Sequence, residues 1–134
     1  MQNRIRVAYI INSVLFGGSE KVSLNYLRER NDKLFDISLF QLVRKLEENV
    51  HISNEIKKIG IRPYYVYLAR RYEGDRKNYL RLVSSFIKVA VRIKQGNYDL
   101  IHTHGYLADF IGLFLAKMVN VPIISTCHGF ISNS

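Results

Sequence analysis

The chain has 134 residues, 48% apolar and 23% charged, a balance that suits one globular domain with a buried core and excludes intrinsic disorder and collagen-like repeats. The 20 Lys and Arg against 11 Asp and Glu leave a net charge of +9. That excess points to an acidic partner, whether nucleic acid, an anionic membrane or a phosphorylated substrate. The single cysteine, Cys127, excludes an intrachain disulfide and fits a reducing compartment. No apolar stretch approaches the ~18 residues of a membrane-spanning helix.

Residues 5–11 form a continuous β-branched apolar run, the mark of a strand buried on both faces. A loop to Gly17-Gly18 follows, and Ser19 opens a helix to about Arg30 with Val22, Tyr26 and Leu27 on its inner face. Residues 36–43 read as a second strand, 49–59 as a short helix, and 63–68 as a third strand. Residues 77–95 make the longest helix, covered on one side by Leu82, Phe86, Val89, Ala90 and Ile93. Residues 99–103, 106–119 and 123–126 complete the pattern as strand, helix and strand. This alternation predicts an α/β fold: a Rossmann-like, doubly wound parallel sheet of about five strands with helices on both faces.

In such sheets ligands bind beyond the carboxyl ends of the strands. The loops after the first, fourth and fifth strands are therefore the informative ones. Gly17 and Gly18 let the backbone pass close to a ligand at a helix N-terminus that attracts anions; a tight turn would need them equally. GGSEKV matches neither the G-x-G-x-x-G fingerprint nor a Walker A loop. His102, His104 and His128 fall at two neighbouring strand ends. A metal site is disfavoured, because no Cys, Glu or Asp completes a recognised ligand spacing. His102 reads as a core histidine, and His104 and His128 as hydrogen-bonding partners of a polar, anionic or sugar ligand. Cys127 and His128 point to opposite faces and do not make a nucleophile pair. Glu20, Asp99 and Asp109 are the candidate acids or bases, with no glycosidase-type pair among them.

The positive charge is uneven. Residues 44–94 carry 13 Lys and Arg against 5 acids, whereas residues 95–134 carry 1 against 2. Lys77, Arg81, Lys88 and Arg92 fall within a ~60° stripe of the longest helix. Such a stripe is usually a solvated face, and it also suits an anionic lipid surface. No helix-turn-helix, zinc-finger or aromatic ribonucleoprotein pattern accompanies the charge, which disfavours nucleic acid.

The opening RVAYIINSVLFGGSEKVSLNYL, with its strand, Gly-Gly loop, acid two residues on and helix, resembles the start of the N-terminal domain of family 4 glycosyltransferases of the GT-B fold. DLIHTHGYLADFIGLFLAKMVNVPIISTCHG resembles the same domain's fourth and fifth strands, through its Asp-x-x-His-x-His-Gly and Pro-x-x-x-Thr-x-His-Gly motifs. The resemblance implies retaining transfer of a sugar from a nucleotide-sugar to an acceptor, such as a lipid-linked saccharide. It implies Gly17 and Gly18 near the donor phosphates, His104 facing the transferred sugar as the catalytic residue, and His128 lining an interdomain cleft. Glu20, Gly105, Tyr106 and Gly129 complete the expected substrate-binding set. No metal or other cofactor is expected. The resemblance also implies a second Rossmann-like domain with a Glu-x7-Glu motif, which residues 1–134 do not contain. The chain is thus expected to be the acceptor-side domain of a longer enzyme, or half of a split transferase, inactive alone. It is expected to work in the cytoplasm at the inner face of a membrane, with a second copy of the chain as a further candidate partner. The competing expectation is a non-catalytic Rossmann-like or flavodoxin-like ligand-binding module.

Overall fold

The computed structural model describes residues 3–12, 18–43, 50–67 and 76–126. Among the described residues five strands alternate with four helices: β1 (Ile5–Asn12), α1 (Gly18–Arg28), β2 (Phe35–Val43), α2 (Val50–Lys58), β3 (Tyr64–Tyr67), α3 (Arg76–Gln95), β4 (Leu100–His104), α4 (Tyr106–Val119) and β5 (Ile123–Thr126). The strands form one sheet in the order β3-β2-β1-β4-β5, and every pairing is parallel. β1 is central. It pairs with β2 from Ile5↔Phe35 to Asn12↔Leu42, and with β4 from Val7↔Leu100 to Ile11↔His104. Its run of branched and aromatic residues suits a strand covered on both faces, and Val7, Ala8, Tyr9 and Ile10 are all buried.

Strand alternation splits the core in two. Ala8, Ile10, Phe40, Leu42 and Ile101 face α3 and α4, whose Val89, Ile93, Ala108 and Leu115 cover them. Tyr9, Ile11 and Leu39 face α1 and α2, covered by Leu24, Leu27 and Ile56. Burial of this apolar surface, at roughly 25 cal/mol per Å², is the main force holding the layers together. α4 lies unusually close to the sheet: a Cβ on Gly112 would collide with the Thr103 methyl. Asp109 fixes the contact, its Oδ1 accepting hydrogen bonds from Thr103 Oγ1 and Ser125 Oγ, each at 2.6 Å. The helix ends at Asn120, in the left-handed conformation at φ 55°, which asparagine tolerates.

The elements follow the expected order, with local differences. Val22 and Tyr26 are 45% and 39% exposed, and it is Ser23, Leu24 and Leu27 that face inward. The apolar pattern of α1 is short enough for two neighbouring stripes to compete, and the hydroxyl of Tyr9 selects the one containing Ser23. Asp99 precedes β4 rather than opening it. Its carboxylate accepts the Arg6 N–H at 2.8 Å and its own N–H donates to the Arg6 carbonyl at 2.9 Å, which staples β4 to β1.

Candidate active site at the carboxyl edge of the sheet

From β1 the chain winds outward to β2 and β3 on one side, and β4 and β5 extend the other. The two directions diverge between the carboxyl ends of β1 and β4, the switch point where open α/β sheets form their ligand crevice. The register places Tyr9 beside His102 and Ile11 beside His104 there. His102 and His104 share the α1 side of the sheet, as their spacing of two requires.

These side chains form one polar cluster in an otherwise apolar layer. Tyr9 Oη donates to Ser23 Oγ at 3.1 Å and lies 3.4 Å from His104 Nδ1. Burial pushes the Tyr9 hydroxyl up to about 12, against the lowering hydrogen bond to Ser23, with a small further rise from Tyr26. The His102 ring packs against Tyr9 at 4.8 Å and edge-on to Tyr26 at 5.3 Å, and its Nε2 lies 2.8 Å from Thr126 Oγ1. Burial first, and the neighbouring His104 second, lower its pKa. His102 is thus partnered, as a satisfied histidine would be, but only half-buried. His104 is more enclosed than a ligand-facing reading anticipates, at 5% exposure.

Beyond His104 the backbone turns sharply at Gly105, where φ is 101°. A Cβ there would stand 2.7 Å from Asn12 Nδ2. The Asn12 side-chain oxygen Oδ1 meanwhile accepts the Ala108 N–H at 2.9 Å, so the last residue of β1 caps the first turn of α4. α4 offers its N-terminal end to the crevice, with Tyr106 74% exposed beside it. Gly18 begins α1 at the same edge. Two helix N-termini and the His104 imidazole therefore share this edge, a combination that attracts an anion and hydrogen-bonds hydroxyl groups.

Glu20 lies in the first turn of α1 and Lys77 in that of α3. Gly17, His128 and Gly129 lie outside the described residues, as does Cys127. Arg81, Lys88 and Arg92 are exposed along α3, and the Arg92 guanidinium stacks 3.7 Å above the Tyr64 ring. Asp109 is a packing residue rather than an acid or base of the crevice. The sequence reading passed over Tyr9, Ser23 and Asn12. A tyrosine in a fully buried strand needs a partner for its hydroxyl, and an asparagine closing such a strand needs one for its amide; those were the available signals. Among the described residues no three His, Cys, Asp or Glu side chains are placed to hold a metal ion.

The Glycosyltransferase Family 4 profile matches residues 16–133. The chain is 25% identical over 129 residues to the UDP-Gal:alpha-D-GlcNAc-diphosphoundecaprenol alpha-1,3-galactosyltransferase of Escherichia coli. That match covers 96% of this chain and 31% of the enzyme, so the chain spans about a third of its relative's length. In structure it is similar to MurG of Acinetobacter baumannii, with TM-score 0.67 and 13% identity over 94% of this chain and 37% of that one. It is also similar to the C-terminal domain of a hydrogenase from Pyrococcus furiosus, with TM-score 0.62 and 17% identity over 95% and 94% of the two chains. Two such different proteins show that the fold alone does not select a function. The profile runs from residue 16 to residue 133, across both motif regions, and the chain belongs to Glycosyltransferase Family 4.

Proposed function

We propose that this chain is the acceptor-side half of a GT-B hexosyltransferase that moves a sugar, with retention of configuration, from a nucleotide-sugar to a saccharide or lipid-linked acceptor in cell-surface glycolipid or polysaccharide synthesis. The family match across the crevice motifs carries the reading. The name of the Escherichia coli relative, a galactosyltransferase acting on a diphosphoundecaprenol-linked sugar, supports a lipid-linked acceptor. On this reading the donor-binding half lies outside these 134 residues, and the chain alone does not turn over. It works in the cytoplasm at the inner membrane face and needs neither metal nor other cofactor.

The residue roles are those that the family resemblance implies. Gly17 and Gly18, with the α1 N-terminus and Glu20 behind them, approach the donor diphosphate and sugar. His104, whose Nδ1 lies 3.4 Å from the Tyr9 hydroxyl, offers its imidazole to a hydroxyl of the transferred sugar. Gly105 and Tyr106 join it in binding substrate, and His128 and Gly129, which follow β5, belong to the same substrate-binding set. Transfer of labelled sugar from a panel of nucleotide-sugars to a membrane lipid extract, by the full-length enzyme, tests the reading. His104→Ala is expected to lower kcat by about 10²–10³ with folding intact, the cost of losing one positioned polar group. Unchanged kcat would remove His104 from the chemistry, and no transfer from any donor would remove the activity itself.

A further inference from the structure

Leu24, Leu27 and Ile56 make the layer between the sheet and helices α1 and α2 an apolar one. Two hydroxyl groups are nevertheless buried in it, on Tyr9 and Ser23, which are 1% and 3% exposed. A hydroxyl taken out of water costs free energy unless it is hydrogen-bonded, and the bond that repays it adds little. Phenylalanine and alanine would fill nearly the same space without that cost. The position of the pair supplies a reason for it. Tyr9 stands beside His102 in the register, and His104 follows two residues later on the same face. A strand side chain that leans along its strand reaches this diagonal neighbour. The Tyr9 oxygen lies 3.1 Å from Ser23 Oγ on α1 and 3.4 Å from His104 Nδ1 on β4, so three elements meet at one atom. The Tyr9 ring is held as well, packed against Tyr26 at 5.1 Å and His102 at 4.8 Å. Burial pushes its hydroxyl up to about 12, so it faces the imidazole as a neutral group. A carboxylate in the same place would bring a charge to the ring.

We infer that Tyr9 and Ser23 are positioning residues for His104: they hold its imidazole at the end of β4 in the orientation that meets the substrate, and tie it to α1. The N-terminal end of α1 faces the same crevice, so the pair sets the distance between the anion-attracting helix end and the imidazole. Neither residue reaches the crevice, because both are buried; each acts through His104. The inference rests on the reading of His104 as the group that meets the transferred sugar, and adds what fixes its geometry. A misplacement of about 1 Å at a reacting centre costs on the order of 10²-fold in rate. His104 keeps its place in the sheet without the hydroxyl, so a smaller loss is expected, and one confined to the chemical step. Hydroxyls that served only to satisfy each other would affect stability and leave the chemical step alone, which separates the two roles.

The test is transfer kinetics of the full-length enzyme, read beside Tm. Tyr9→Phe keeps the ring and removes only the hydroxyl. It is expected to lower kcat about tenfold while KM for the nucleotide-sugar stays within about twofold. Because it leaves Ser23 unpaired, it should also lower Tm. Tyr9→Phe with Ser23→Ala leaves neither hydroxyl unpaired, so its Tm should recover, whereas kcat should stay down by about the same tenfold. Recovery of kcat together with Tm overturns the inference, because the hydroxyls would then serve packing alone. In a His104→Ala background Tyr9→Phe should lower kcat by no more than about twofold further, since residues that act through one another are not additive. An equal loss in both backgrounds overturns the inference, and so does a raised KM with kcat unchanged. A wild type that transfers sugar from a nucleotide-sugar, with kcat unmoved by Tyr9→Phe, sinks the positioning role alone. A wild type that transfers from no donor sinks the transferase reading and this role with it.

Discussion

Tyr9 sits at the centre of the sheet with 1% of its surface exposed, and its hydroxyl is pushed up from 10.0 to about 12 by burial. Between those values the unfolded chain has released a proton that the folded chain keeps. This contribution to stability is therefore fully present below pH 10 and is lost as the pH rises toward 12, by about 2–3 kcal/mol. Urea unfolding across that window should show the slope in the wild type, and Tyr9→Phe should flatten it; an identical slope in both would mean that the hydroxyl is not held as described. His102 has the opposite sign. Its folded pKa is lowered by burial and by His104, so its contribution is present above the ordinary value of 6.5 and is lost as the pH falls through the lower one. An NMR titration should place the His102 transition below that of an unfolded histidine. His102 and His104 were legible as a strand-end pair from their spacing alone. That Tyr9 and Ser23 hold them was not, because those partners come from a different strand and a helix that no local pattern connects.

α4 is positioned by contacts that can be broken singly. Gly112 lies against Thr103, so Gly112→Ala should cost about 1–3 kcal/mol as the helix is pushed off the sheet. Asn12→Ala removes the cap on the first turn and should cost about 1 kcal/mol. Both are read from denaturant midpoints, and a neutral Gly112→Ala would mean that the helix sits further out than described. Element types and order followed from periodicity because each segment buries one face, or in β1 both faces. Boundaries shifted where a side chain intervened, as Asp99 does by bonding to Arg6 instead of joining β4. In α3 the helical period separated the core face from the basic stripe correctly. A third face of α3, with Leu80 and Ile87, is exposed yet as apolar as a core face, and periodicity cannot say which apolar face a domain covers.

Across the whole molecule the hydrogen-bond ladder is deepest at β1, paired along its entire length with β2 and along five residues with β4. Amide exchange should therefore be slowest in β1 and fastest among the strands at β3 and β5, each four residues long. Faster exchange at Ala8 or Ile10 than at Ser125 would contradict this ordering. By itself the sequence determined the α/β class, the parallel crossovers and the family, because alternating period and short motifs are local properties of the chain. The tertiary structure alone decided that β4 adds beside β1. That choice brings Tyr9 to His104 across 95 residues and Asn12 to Ala108 across 96. It also decided which apolar surface was left uncovered on α3 and α4. Strand order is set by the sum of many long-range contacts, and no single stretch of sequence carries that sum.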